Sequence, residues 1–296
     1  MNRVGHHATH ETQPTRMVFL DSVDCRQSTQ LTSHYSFTFK DAIETASGEG
    51  MLVSLSSASI PYSFYNIRDG VNDRLYYNET SIAIDPGNYT ATALTKAIVD
   101  AFLAKSVTVT AVYSKITQKI TFSCSSLLTF HFTAADALKD EIGFGGALGP
   151  VVINPSAVSP SVADLNGSVH AIYVRTNLAT KSVMESQTGG VSDILAKIDI
   201  NTDPGGVVTL DPNQVSHEAL IHTAGIKHLE IRITDERNRL LDLNGLHSQV
   251  ALRFRFVDTK VSAPIATLDS RVRVSPDQAQ LLKPAPAQTP RKKKKR

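Results

Sequence analysis

The stretch Val250-Ala251-Leu252-Arg253-Phe254-Arg255-Phe256 decides the fold class. Val250, Leu252, Phe254 and Phe256 alternate with Ala251, Arg253 and Arg255. A period of two places the large apolar set on one face of an extended strand and the arginines on the other. On a helix the same residues would spread around the axis and form no apolar stripe. The alternation recurs at Tyr35-Ser36-Phe37-Thr38-Phe39, at Val107, Val109, Ala111 and Tyr113, and at Ile120, Phe122 and Cys124.

Working outward, further strands are predicted at 17–20, 51–55, 75–77, 81–84, 128–132, 169–175, 194–200, 207–210, 226–234 and 239–243. Turn chemistry separates them, clearest in Asp85-Pro86-Gly87-Asn88, and in Asp235-Glu236-Arg237-Asn238 as a hairpin turn. Pro61 suits a strand end or an edge. A parallel α/β sheet needs a helix after nearly every strand, and those helices are missing. The chain therefore reads as mainly β, an antiparallel sandwich or barrel. The period changes at Leu94, Ile98, Ala101 and Phe102, which share a helical face and predict a helix over 90–105. Thr133, with Asp136 three residues on, predicts a capped short helix through Ile142. The Pro-, Ser-, Ala- and Gly-rich stretch 146–167 is expected to be a long surface loop.

The 296 residues carry a net charge of +2. Arg291, Lys292, Lys293, Lys294, Lys295 and Arg296 supply +6; without them 24 Lys+Arg face 28 Asp+Glu, a balance of −4. An acidic body with a basic end argues against nucleic-acid binding by the folded surface. These six residues are the candidate contact for nucleic acid or for import machinery. Six charges would give a log–log salt slope of about −4 to −5. Hydrophobic residues make up 41% of the chain, enough for a core.

Cys25 and Cys124 have no zinc or redox spacing and read as unpaired thiols. His217 and His222 are five apart, which fits neither a helical nor a strand pair, and His6, His7 and His10 lie in a polar N-terminal stretch. There is no nucleophile elbow and no phosphate-cradling loop. No catalytic, cofactor or metal site is expected, nor enzyme activity. No apolar run approaches the ~20 residues of a membrane helix, and no signal peptide is apparent, so a reducing compartment and no membrane insertion are expected. The Asn-x-Ser/Thr triplets at Asn78, Asn88 and Asn166 read as turn chemistry.

A series of short motifs runs in a recognisable order. Phe19-Leu20-Asp21-Ser22 is followed by a strand near 35–39, then Ile60-Pro61-Tyr62-Ser63-Phe64-Tyr65-Asn66-Ile67, then Pro86-Gly87-Asn88-Tyr89-Thr90 before a helix. Ile142-Gly143-Phe144, Ile233-Thr234-Asp235 and Leu241-Asp242-Leu243-Asn244-Gly245 complete it. Over about 17–257 this order resembles the penton and minor capsid proteins of virophages, Polinton-like elements and nucleocytoplasmic large DNA viruses. The resemblance implies an antiparallel jelly-roll sandwich with an inserted α+β subdomain and flexible termini. The expected division is a flexible arm 1–16, the first part of the jelly roll 17–86, an inserted α+β block 87–146, the second part 147–257, and a Pro-rich tail 258–296 ending in the basic run.

It also implies a structural protein of a double-stranded DNA virus, located in the virion after assembly in the host nucleus or cytoplasm. Its partners would be copies of itself, as a homopentamer in the penton version, and a larger major capsid protein. Strand edges and the loops 146–167 and 176–193 are the expected contacts, with 1–16 and 257–296 as tethers. The basic end is not part of the family pattern. Two alternatives remain open at this level: a receptor- or glycan-binding β-sandwich acting through its loops, and a nuclear nucleic-acid-binding protein acting through the tail.

Overall fold

The computed structural model describes residues 15–46, 49–166, 169–178, 183–187, 189–210, 217–221, 223 and 225–258. The expected N-terminal arm, up to residue 14, and the Pro-rich tail from 259 lie outside them. Among the described residues there are nineteen strands and one helix. The chain opens with β1 Thr15–Asp21, β2 Arg26–Gln27, β3 His34–Glu44 and β4 Glu49–Pro61. It continues through β5 Arg74–Tyr77, β6 Thr80–Ala83, α1 Ala91–Ala104, β7 Val109–Ser114, β8 Lys119–Cys124, β9 Leu128–His131, β10 Val151–Ile153 and β11 Ser156–Val158. It closes with β12 Ala171–Thr176, β13 Met184–Glu185, β14 Gly190–Val191, β15 Ile194–Asp199, β16 Val207–Thr209, β17 Ala219–Ile221, β18 Gly225–Thr234 and β19 Gln249–Asp258.

The pairing is nested and antiparallel. β1 pairs with β19, β3 with β18, β4 with both β16 and β17, and β12 with β15. β16 and β17 sit at opposite ends of β4 and act as one broken strand. The first of eight strands thus meets the last, the second the seventh, the third the sixth and the fourth the fifth, which is a jelly roll. The nesting produces two five-stranded sheets, β1-β19-β4-β16 with β17 also on β4, and β15-β12-β18-β3-β2. Leu20, Val53, Leu55, Leu252 and Phe254 from the first sheet share a core with Tyr35, Ile43, Ile172, Val174 and Ile231 from the second. The stretch 250–256 behaves as its alternation requires: Leu252 and Phe254 are fully buried. On the opposite face Arg253 and Arg255 both hold Glu218. Pro61 is the last residue of β4, where a missing N–H costs least.

A second, separate core lies between β4 and β12. The sheets β10-β9-β5-β6 and β11-β8-β7 enclose it together with α1. The helix spans Ala91–Ala104, capped by the Thr90 hydroxyl, which accepts from the Ala93 N–H at 3.2 Å. Leu94, Ile98 and Phe102 are its buried face, as their spacing predicts. Phe102 packs against Phe130 and Tyr77, and Phe130 against Phe122 and Phe144.

Several expectations need revising. The second core runs from Ile67 to Ile153, beyond 87–146 at both ends. β5 and β6, placed with the jelly roll by sequence, instead extend a sheet through Tyr77 opposite Phe130. The stretch 146–167 is not all loop: β10 pairs with β9 and β11 with β8, burying Ile153. No helix forms over 133–142. There the backbone bonds to β5, with Leu138 N–H donating to the Arg74 carbonyl at 2.6 Å and Arg74 N–H to the Asp136 carbonyl at 3.2 Å. The predicted strand 239–243 shrinks to one bridge between Thr234 and Leu240. The arm stops short of 16, because Thr15 and Arg16 already pair with Arg255 and Phe254.

Candidate functional site at the junction of the two cores

The chain leaves the sandwich after β4 and returns to it before β12. Several of the motif pieces quoted above, far apart in sequence, meet at this junction. Ser63 donates its hydroxyl to the Leu243 carbonyl at 2.6 Å, and Asn244 donates its side-chain amide to the Ser63 carbonyl. Tyr62 stacks on Phe64 with ring centroids 4.4 Å apart. Asn66 is buried, and its amide joins three segments. Its Nδ2 donates to the Tyr89 carbonyl (2.8 Å) and to the Leu165 carbonyl (2.9 Å). Its Oδ1 accepts from the Tyr89 N–H at 2.9 Å, and its own N–H donates to Asn88 Oδ1 at 2.9 Å. A buried amide with every group engaged fixes position as well as contributing energy.

Charge secures the next layer. Asp235 is fully buried in the turn after β18. Its Oδ1 accepts from the Arg237 and Arg239 N–H groups, both at 2.9 Å. Its Oδ2 accepts from Arg239 Nε at 2.7 Å and from Arg68 Nη1 at 3.1 Å. Arg68 belongs to the segment between β4 and β5 and Asp235 to the sandwich, so this pair binds insertion to jelly roll. Burial and the neighbouring Arg239 pull the Arg68 guanidinium below its ordinary value. Asn72 donates to the Asn66 carbonyl at 2.8 Å and to Glu141 Oε1 at 2.6 Å. Glu141 is only 2% exposed, and its Oε2 has no hydrogen-bond partner. Burial pushes its carboxyl up to about 7, against the Asn72 hydrogen bond and helped by Asp140 and Asp164.

Gly143 shows why its motif needs glycine. Its φ is +78°, and a Cβ there would lie 2.4 Å from the Ser161 carbonyl oxygen. That close approach lets Ser161 N–H donate to the Gly143 carbonyl at 3.0 Å, tying the return segment down. A second buried cation sits further along the sandwich. Arg175, 1% exposed, holds Glu185 at 2.6 Å and Asp193 at 2.8 Å and so pins the β13–β14 hairpin to β12.

This arrangement joins the two cores. Among the described residues no group of three or more His, Cys, Asp or Glu is placed to hold a metal ion. Cys25 and Cys124 are unpaired and belong to different cores. No helix is long and apolar enough to cross a membrane among the described residues. The candidate tail residues Arg291, Lys292, Lys293, Lys294, Lys295 and Arg296 lie outside the described residues, as does His222. In the sequence Asn66 and Gly143 stand out as family marks, and Asn88 and Asp235 also as turn residues, whereas Arg68, Asn72 and Glu141 give no sign of being partners. The polar residues Asn66 and Arg68, flanking the apolar Ile67 a few residues after a strand, were the available signal.

A cleft opens beside this junction. It encloses about 830 Å³ and is lined by Tyr62, Tyr89, Tyr113, the first turn of α1, and the segments at 165–166, 169–170 and 202–204.

No family model matches the sequence, and no curated protein matches it. Among solved structures, the crystal structure of the selenomethionine-labelled mavirus penton protein aligns with a TM-score of 0.46 and 11% identity. The alignment covers 82% of this chain and 100% of that one, a distant similarity of structure.

Proposed function

We propose that this chain is a structural capsid protein of a double-stranded DNA virus, acting as the penton or as a minor capsid protein. In this reading it performs no chemistry. It works by self-association, as a homopentamer at a vertex, and by contact with a major capsid protein.

The observation that carries the reading is the contrast between a locked junction and an apolar fringe. The junction buries its charges and amides inside the subunit. Large apolar side chains are left in water elsewhere. Phe19 is 76% exposed on β1, an edge strand, with Met17 beside it on the same face. Ile116 is 96% exposed at the β7–β8 turn. Leu148, Val152, Val158 and Val162 are exposed within 146–167, and Met184 and Val191 on the β13–β14 hairpin. Native proteins usually blunt such edges with charge, so an edge strand that exposes Met17 and Phe19 on one face marks a candidate interaction site. A rigid body with such an edge suits a heterologous interface that closes into a ring. The order of sequence motifs supports the same reading.

Size-exclusion chromatography with light scattering tests it. A pentamer mass, alone or on addition of the major capsid protein, is the expected result, and Phe19→Asp should shift it toward monomer. A strict monomer at high concentration, with and without that partner, would sink the proposal.

A further inference from the structure

We propose that the cleft beside the junction is a binding site for a neutral, polyhydroxylated ligand, a short saccharide. This goes beyond a shell role and does not depend on it. The volume of about 830 Å³ falls in the range of small-molecule sites. Three tyrosines, Tyr62, Tyr89 and Tyr113, line the cleft. Tyr89 and Tyr113 are half-buried, so each offers part of a ring to whatever enters. A sugar presents apolar C–H faces and a rim of hydroxyls. A tyrosine answers both, with a flat apolar body and a polar tip.

Several polar groups in the cleft are uncommitted, although Tyr89 donates its hydroxyl to the Asp85 carbonyl at 2.8 Å. Tyr62 is 6% exposed, and its hydroxyl makes no hydrogen bond to another described residue. Such a hydroxyl at the cleft wall can give one bond and accept another from whatever enters. The side chains of Tyr113, Asn166, Asp203 and Lys115 are likewise unengaged among the described residues, and Asn88 commits only its oxygen, to Asn66. Asn66, lining the same cleft, has its amide fully committed. Donors and acceptors are therefore mixed, which matches hydroxyls that both give and accept. Lys115 and Asp203 cancel in formal charge, which disfavours a phosphate or a carboxylate ligand.

Saturation-transfer NMR on the full chain with maltotriose, chitotriose and N-acetyllactosamine tests the assignment. At least one should receive transfer at its ring protons. Tyr62→Phe should weaken that binding by about fivefold, the worth of one hydrogen bond, with the melting temperature unchanged. Tyr113→Ala should weaken it by about tenfold. Asn166→Ala, on an exposed side chain, keeps the comparison valid if Tyr62→Phe lowers the melting temperature. Absence of transfer to all three sugars would overturn the proposal. So would affinity unchanged in Tyr62→Phe, Tyr113→Ala and Asn166→Ala, or a cleft that binds inorganic phosphate or a peptide in place of sugar.

Discussion

At the residue scale, Glu141 is the group whose protonation matters most. Its folded value of about 7 stands above its ordinary 4.5. Below pH 4.5 the carboxyl is protonated in both the folded and unfolded states and costs nothing. Between these values the unfolded chain ionises first, so stability falls as pH rises and levels off above about 7. The full loss is about 3 kcal/mol. Glu141→Gln keeps an acceptor for Asn72 and removes the titration. It should therefore stabilise the protein at pH 8 by up to about 3 kcal/mol and do little at pH 4. Urea unfolding at both pH values checks this; equal effects at the two would contradict it. Asp235 is the opposite case, because removing it strands Arg68 in a buried site. Asp235→Ala should cost about 3–5 kcal/mol, read by the same denaturation.

At the scale of elements, what the sequence made legible is what depends on near neighbours. The helix was readable because its cap and apolar face sit within one stretch. Thr90→Ala should cost about 1 kcal/mol and Ile98→Ala about 2–5 kcal/mol in thermal or urea unfolding. Equal costs would mean the helix is held by its cap and not by its buried face. The strand 250–256 was readable for the same reason. The segment 133–142 was not, since its capping pattern is local but its backbone donors are claimed by Arg74, more than sixty residues earlier. β10 and β11 were hidden too. Each has three residues, too few for a period, and exists only because β9 and β8 offer an edge. The junction was illegible on the same grounds. Arg68 and Asp235 are 167 positions apart, and Asn72 and Glu141 are 69. Alternation and spacing report on faces, whereas a buried ion pair needs the whole topology.

At the scale of the molecule, body and tail should separate cleanly in experiment. Since the rest of the chain carries a net −4, we propose that any nucleic-acid affinity belongs to residues 291–296. Their deletion should abolish binding to mixed-sequence DNA and leave oligomer mass unchanged. With the tail present, affinity should fall roughly a thousandfold between 50 and 200 mM salt. Binding that survives the deletion would place the contact on the folded body.

The amide of Asn66 touches Leu165 across 99 positions of sequence. Everything between them is, to the sandwich, a detour that begins and ends at one point. The entropy of closing such a detour grows only logarithmically with its length, by about 0.6 kcal/mol per doubling. The sandwich is therefore nearly indifferent to what hangs there. A shorter block, a longer one or a foreign domain could be spliced in beyond these contacts so long as Asn66 still meets Tyr89 and Leu165, and Arg68 still meets Asp235. That makes this place a natural port for exchange, where a lineage can renew the outgrowth and keep the frame.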